Sequence, residues 1–273
     1  MKLKIIIINL LFVAVFLSCK KDESLTVGNV GNTEALLLSQ VLIDNQPSFG
    51  YLYNAARLIS EEKSAFNFTM HHYNDMNQLV TTDYYSNYDI LSSDLTIFQT
   101  ALNRKEWVTP DSPNKGGNIK YEYSDNGQLF KATYSPLSGS SQYSEFSYGV
   151  NSRISRQILY WADKETGSIE YSYDGKGNLS EENLYNLLST GVNELGTTVR
   201  YEFDNEQNPY KSVSKLMTPG INTNRNNIIK ETYTIHLKAD QGADKTQITP
   251  TSYLYNEKGY PISKNGNVTF VYK

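Results

Sequence analysis

The stretch YSYDGKGNLSEE, residues 171–182, sets two tyrosines two apart and follows them with Asp, Gly and Leu. Residues two apart on a strand share a face, so Tyr171 and Tyr173 line one side of a strand. Asp174 carries a side-chain oxygen able to bond backbone N–H groups as a turn begins. Gly177, three residues further on, suits the positive φ of a type I turn with a G1 bulge. Leu179 then opens a second strand. The stretch reads as the corner of a β-hairpin.

Much of the chain repeats it. KYEYSDNGQLFKATY keeps Tyr121, Tyr123, Gly127 and Leu129, and FSYGVNSRISRQILYW keeps Phe146, Tyr148 and Ile154. HHYNDMNQLVTTDYY keeps Tyr73, Asn74, Asn77 and Leu79. RYEFDNEQNPYKSV keeps Tyr201, Phe203 and Asp204 but has Pro209 where Leu is expected, and YLYNEKGYPISK keeps Tyr253, Tyr255 and Gly259 with Pro261 there. A seventh copy, YLYNAARLISEE, starts at Tyr51 and Tyr53 and reaches its Leu58 one residue early.

The second aromatics, Tyr53, Tyr73, Tyr123, Tyr148, Tyr173, Phe203 and Tyr255, are spaced by 20, 50, 25, 25, 30 and 52 residues, near one or two multiples of 25. That period suits two strands and two turns. The residues between the aromatics are mostly polar (Glu122, Ser147, Ser172, Glu202) and face the other way, the alternation of a sheet buried on one side. Asp, Asn or Ser follows the aromatic in six of the seven copies. Asn77 tolerates a positive φ, whereas Arg57, Ser152 and Gln207 tolerate it poorly, so those copies are degenerate. Pro209 and Pro261 fit only at a strand's first residue or on an edge.

The unit resembles the YD repeat of Rhs-type proteins, whose core reads Tyr-Asp-x-x-Gly-x-Leu and is matched cleanly by YDGKGNL. Short copies behind the leader described below resemble a Bacteroidetes family of unknown function described as having a porin-like fold. The resemblance covers most of residues 34–273. It implies an all-β fold: an antiparallel meander of repeated hairpins curling into an open or closed barrel-like sheet. It transfers no catalytic residue.

The pattern is interrupted at residues 83–118, where SSDLTIFQTALNRK has a weak helical stripe (Leu95, Phe98, Leu102) but reads equally as a strand. Beside β neighbours the strand is the expectation. Residues 217–230 read as a polar loop, and ETYTIHLKA and GNVTFVYK as strands.

The chain opens MKLKIIIINLLFVAVFLSCKKDES, two lysines before an apolar run too short to span a bilayer comfortably. FLSC resembles the bacterial lipobox, which implies a signal peptide at 1–18, cleavage before Cys19 and a lipid on its thiol. Cys19 is the sole cysteine, so a disulfide within the chain is excluded. KKDES resembles the export signal of Bacteroidetes lipoproteins, implying a lipid-anchored protein on the outer face of the outer membrane. Residues 19–33 read as a lipidated, flexible tether and 34–273 as one domain.

Without residues 1–18 the chain has 23 basic against 29 acidic residues, net −6, and no basic run, which argues against nucleic acid. His71 and His72 are adjacent and would point to opposite faces, and His236 stands alone at a strand position, so no metal site is expected. Asp174 to Asn178 lacks the alternating acidic ligands and closing Glu of a calcium loop. No Gly-x-Ser-x-Gly elbow or phosphate-cradling Gly loop occurs, and Glu181 and Glu182, imaginable as a glycosidase pair, should face opposite ways.

Most of the 22 tyrosines should pack as cross-strand pairs on the buried face. Tyr84, Tyr85, Tyr88, Tyr160 and Trp161 stand outside the repeat pairs and could stack on sugars. The expected role is a noncatalytic binding or scaffold module at the outer membrane, with no cofactor, and a glycan or an envelope protein as partner. The alternatives are a transmembrane β-barrel, with which VTFVYK at the C-terminus is compatible, and a glycan-active hydrolase.

Overall fold

Six of the seven aromatic pairs end in the hairpin corner that their spacing predicts, and the seventh does not. The computed structural model describes residues 36–64, 67–86, 114–149, 152–213, 219–221, 223–238 and 242–273. Cys19, the leader, the tether, Tyr88 and the Leu95–Leu102 segment lie outside the described residues.

The described residues form β1 (Leu38–Ile43), β2 (Gln46–Tyr53), β3 (Ile59–Ser64), β4 (Asn67–Tyr73), β5 (Leu79–Ser86), β6 (Asn114–Tyr123), β7 (Leu129–Pro136), β8 (Gln142–Tyr148) and β9 (Ile154–Trp161). There follow β10 (Lys164–Tyr173), β11 (Leu179–Leu187), β12 (Asn193–Phe203), β13 (Ile228–Ile235), β14 (Lys245–Pro250), β15 (Tyr253–Tyr255), β16 (Pro261–Lys264) and β17 (Val268–Tyr272). A 3-10 helix, Pro209–Val213, is the one helical element among the described residues.

All 17 strands belong to one antiparallel meander, and β17 pairs back onto β1. The sheet is not closed: β14 pairs with β13, β15 pairs with β16, and no ladder joins β14 to β15. These two strands follow each other in the chain. Thr251 N donates to Ile229 O (2.8 Å) on one side, and Asn265 N donates to Ser252 O (2.9 Å) on the other. One stretch of chain therefore ends the sheet at both margins.

At the repeat end the ladder slips by one residue at every second aromatic, for example between Ser172 and Tyr173. The turn residue has a positive φ in six copies: Arg57 (62°), Asn77 (60°), Gly127 (80°), Ser152 (53°), Gly177 (89°) and Gly259 (74°). Arg57 and Ser152 thus adopt the conformation despite the steric cost, so these two copies are degenerate in sequence but intact in geometry. The first copy is corrected in register. Tyr53 pairs with Ile59, and Ile59 (1% exposed) rather than Leu58 fills the core position.

The inter-repeat ladders stop short of this end, and tyrosine hydroxyls take over. The last rung between β9 and β10 is Arg156 with Glu170, beyond which Tyr173 OH donates to Ile154 O at 2.7 Å. The same contact joins Tyr73 to Ile59 (2.8 Å), Tyr123 to Leu79 (2.8 Å) and Tyr148 to Leu129 (2.9 Å). A phenol is needed here because its ring packs on the buried face while its O–H reaches a carbonyl that the ladder no longer serves.

The Phe203 copy departs from the pattern. Phe203 pairs with Ile228, not with a residue near Pro209. Pro209 opens the 3-10 helix instead of a strand, where its fixed φ and missing N–H are tolerated. The described residues between Phe203 and Ile228 belong to a long excursion. Val213 is buried with Leu38, Val41, Tyr51, Ile59 and Phe270, and Tyr210 packs edge-on against Phe270. Asn224 Oδ1 accepts from Leu179 N at 2.8 Å, whereas Ser212 Oγ accepts from Leu38 N at 3.1 Å. Leu38 and Leu179 are far apart in the sheet order, so the sheet curls round the excursion. A second core, Leu79, Tyr121, Leu129, Phe146, Ile154, Tyr171 and Leu179, lines the same inner face.

Candidate functional site

The strand register decides which side chains meet. Phe146 is in the core, so Ser144 and Gln142, two and four residues earlier, share its inner face. Their partners across the ladder, Gln157, Leu159 and Trp161, face inward with them. Together with Tyr121 and Tyr134 they bound a cavity of about 540 Å³ over β6–β9, near the end opposite the repeat turns. Trp161 stands at its rim, 54% exposed. Every described residue lining it is uncharged.

Its polar groups are of two kinds. Gln157 is clamped: its Nε2 donates to Ser144 Oγ (2.8 Å), and its Oε1 accepts from Tyr171 OH (2.7 Å). Ser144 accepts that bond and keeps its own O–H to give. The Gln142 amide, the Tyr134 hydroxyl and the Trp161 indole N–H make no hydrogen bond among the described residues. Tyr134 is held edge-on by Tyr84, with ring centroids 6.3 Å apart.

Of the aromatics singled out in the sequence, Trp161 and Tyr84 thus belong to or support the cavity. Tyr160 and its partner Tyr143 also border the cavity, but they alternate with the inward pair Ser144 and Leu159, so their rings stack on the outer face (4.4 Å, 12° between planes), with Lys131 Nζ 3.8 Å from the Tyr143 ring centre. Sequence reasoning missed Tyr134, Gln142 and Ser144, whose convergence depends on which strands are neighbours.

The ionisable groups form separate clusters. His71 and His72 do face opposite ways. His71 is buried, with Nδ1 3.0 Å from Thr82 Oγ1, and His72 lies outside, 3.3 Å from Asp83. Glu181 and Glu182 also diverge: Glu181 accepts from Arg200 Nε (2.6 Å) outside, and Glu182 accepts from Tyr201 OH (2.6 Å) within. Burial pushes the Glu182 carboxyl above the ordinary range, against the lowering effect of that Tyr201 hydrogen bond, and Glu231 adds to the rise.

His236 sits just past β13, not within the expected strand. Its Nε2 is 2.8 Å from Thr198 Oγ1 and its Nδ1 is 2.8 Å from Asp244 Oδ2, an order that superficially matches a nucleophile–base–acid relay. Thr198, however, donates its proton to Asn183 Oδ1 (2.7 Å) and is 3% exposed. The hydroxyl is neither directed at the imidazole nor open to a substrate, so the cluster ties β11, β12 and the β13–β14 connection together. Asp174 works likewise as a turn residue, accepting from Lys176 N and Asn178 N, both at 2.8 Å. Burial opposes its charge, but the hydrogen bonds from Asn178, Lys176 and Gly177 outweigh it and hold the carboxyl below its usual range. Among the described residues no three His, Cys, Asp or Glu side chains group as metal ligands.

No family model and no curated protein matches the chain. Solved structures do. A porin-like protein from Bacteroides uniformis is 12% identical, with 86% of this chain and 96% of that one covered and a TM-score of 0.38. A porin-like protein from Bacteroides vulgatus is 10% identical over 88% and 99%, also at 0.38. Both carry the porin-like description to which the sequence resemblance led. The strand ladder itself, not these likenesses, establishes the fold.

Proposed function

We propose that the chain is a noncatalytic binding module of the cell envelope, tethered to the outer membrane through a lipid on Cys19 and exposed at the surface. The observation that carries the reading is the cavity over β6–β9. Rings and polar groups without hydrogen-bond partners among the described residues converge there around a space of ligand size. The clustered ionisable groups are engaged in structure elsewhere.

A domain held on a tether is favoured over a barrel spanning the membrane by the outer face. That face carries Arg200 with Glu181 (2.6 Å), Lys230 with Glu202 (2.7 Å) and Lys120 with Glu122 (3.1 Å). A basic residue facing lipid at the midplane costs roughly 2–4 kcal/mol. The tether reading is tested by fractionating cells that express the native chain and Cys19→Ser. Loss of the protein from the membrane fraction on substitution supports the anchor, and retention refutes it. The binding reading is tested by thermal melts in detergent-free buffer against a ligand panel. A cooperative melt raised by one ligand supports it, and failure to fold without detergent would put the spanning barrel first.

A further inference from the structure

Resting on the reading of the β6–β9 cavity as a ligand site, we propose that it takes a neutral oligosaccharide, with the Trp161 and Tyr134 rings as stacking platforms. The chemistry of the lining selects this class. An aromatic face carries partial negative charge, and the C–H face of a pyranose is its apolar, weakly positive complement. The edges of the same sugar present hydroxyls that both donate and accept. The cavity offers matching groups: the Gln142 amide between the two rings, the Ser144 O–H on the same strand, and the Tyr134 hydroxyl and Trp161 N–H on the rings themselves, all but Ser144 without hydrogen-bond partners among the described residues. Gln157, fixed by Tyr171 and Ser144, holds Ser144 in place.

Other ligand classes fit less well. A charged sugar, a nucleotide or an anionic lipid would lose water in a lining whose described residues supply no countercharge. An alkyl chain would cover the Gln142, Tyr134 and Trp161 polar groups without satisfying them. An extended peptide would need a free strand edge, and both edges of β7, β8 and β9 are paired.

The test uses purified protein carrying Trp107→Phe, which leaves Trp161 as the sole tryptophan. Its fluorescence and the heat of binding are followed on titration with neutral gluco-, manno- and xylo-oligosaccharides, with uronic-acid oligosaccharides, and with a fatty acid. The expected result is saturable binding of a neutral oligosaccharide that shifts Trp161 emission. In the native background, Trp161→Ala should weaken that binding about tenfold, the loss of one stacked ring. Tyr134→Phe, which keeps the ring, should cost less. Trp161 is half exposed, so a thermal melt should show the alanine variant folded.

Neutral binding that Trp161→Ala leaves unchanged would overturn the site. Saturable, Trp161-dependent binding of only the acidic or the alkyl probes would overturn the ligand class while leaving the binding module standing. No binding by any probe would overturn both.

Discussion

The hydroxyl of Tyr173 donates to the main-chain carbonyl of Ile154 at 2.7 Å, just beyond the last rung of the ladder between β9 and β10. Each such bond pins one hairpin to its predecessor where the strands splay. Tyr173→Phe keeps the ring and removes the donor. It should lower stability by about 1 kcal/mol, or roughly 2–4 °C in melting temperature for a domain of this size. Matched thermal melts check this, and an unchanged midpoint would mean that water serves the Ile154 carbonyl as well as the phenol does.

Substitutions at the turns should have opposite signs. Ser152 holds φ at 53°, a left-handed conformation that costs an L-residue about 1–2 kcal/mol, against about 0.5–1 kcal/mol for the extra chain entropy of glycine. Ser152→Gly should therefore stabilise by roughly 0.5–1 kcal/mol on those figures. Gly177→Ala should destabilise, because φ is 89°, a conformation strained for any L side chain, and the new Cβ would also displace the Arg153 guanidinium. Urea titration of both variants reads the signs directly.

Asn178 is the fastening of the excursion. Fully buried, it accepts from Arg225 N (2.8 Å) and Asn226 N (3.0 Å) through Oδ1 and donates through Nδ2 to Asp174 and Asn226. Asn178→Ala strands two backbone donors at about 1–3 kcal/mol each. Hydrogen exchange at residues 225 and 226 should accelerate well beyond that of β6–β9. Uniform acceleration would instead show that the excursion and the sheet open together.

High pH should unfold the protein through its tyrosines. Burial pushes the phenols of Tyr53, Tyr123 and Tyr148 up to about 12. In the unfolded chain they ionise near 10. The folded state thus keeps protons that the unfolded state loses. Its stability is intact below pH about 10 and falls as pH rises towards 12. Tyrosinate absorbance should appear in two phases, exposed rings first and the buried set together with the loss of sheet circular dichroism. Buried rings that titrate before the sheet melts would contradict this assignment.

The repeat was legible because its geometry is local. Tyr-x-Tyr sets the face, Asp or Asn starts the turn, and Gly at the fourth turn position permits the bulge, all within a dozen residues of Tyr171. The errors arose where a local pattern met a distant partner. Phe203-Asp204 begins like any other copy, but Ile228, on the far side of a long excursion, is the residue that pairs with Phe203. Leu58 and Ile59 are equally apolar, and only the register selects Ile59 for the core.

The amino-acid sequence by itself determined the all-β class, the hairpin unit and the inward set of aromatics, because side-chain alternation and turn chemistry act over a few residues. The tertiary structure alone decided which hairpins are neighbours, that Trp161 faces in while Tyr160 faces out, and that Tyr134, Ser144 and Trp161 share one cavity. The physical reason is that strand pairing and sheet curvature are collective. They are fixed by ladders between residues distant in sequence and by the excursion that the sheet encloses, and no short window of sequence encodes them.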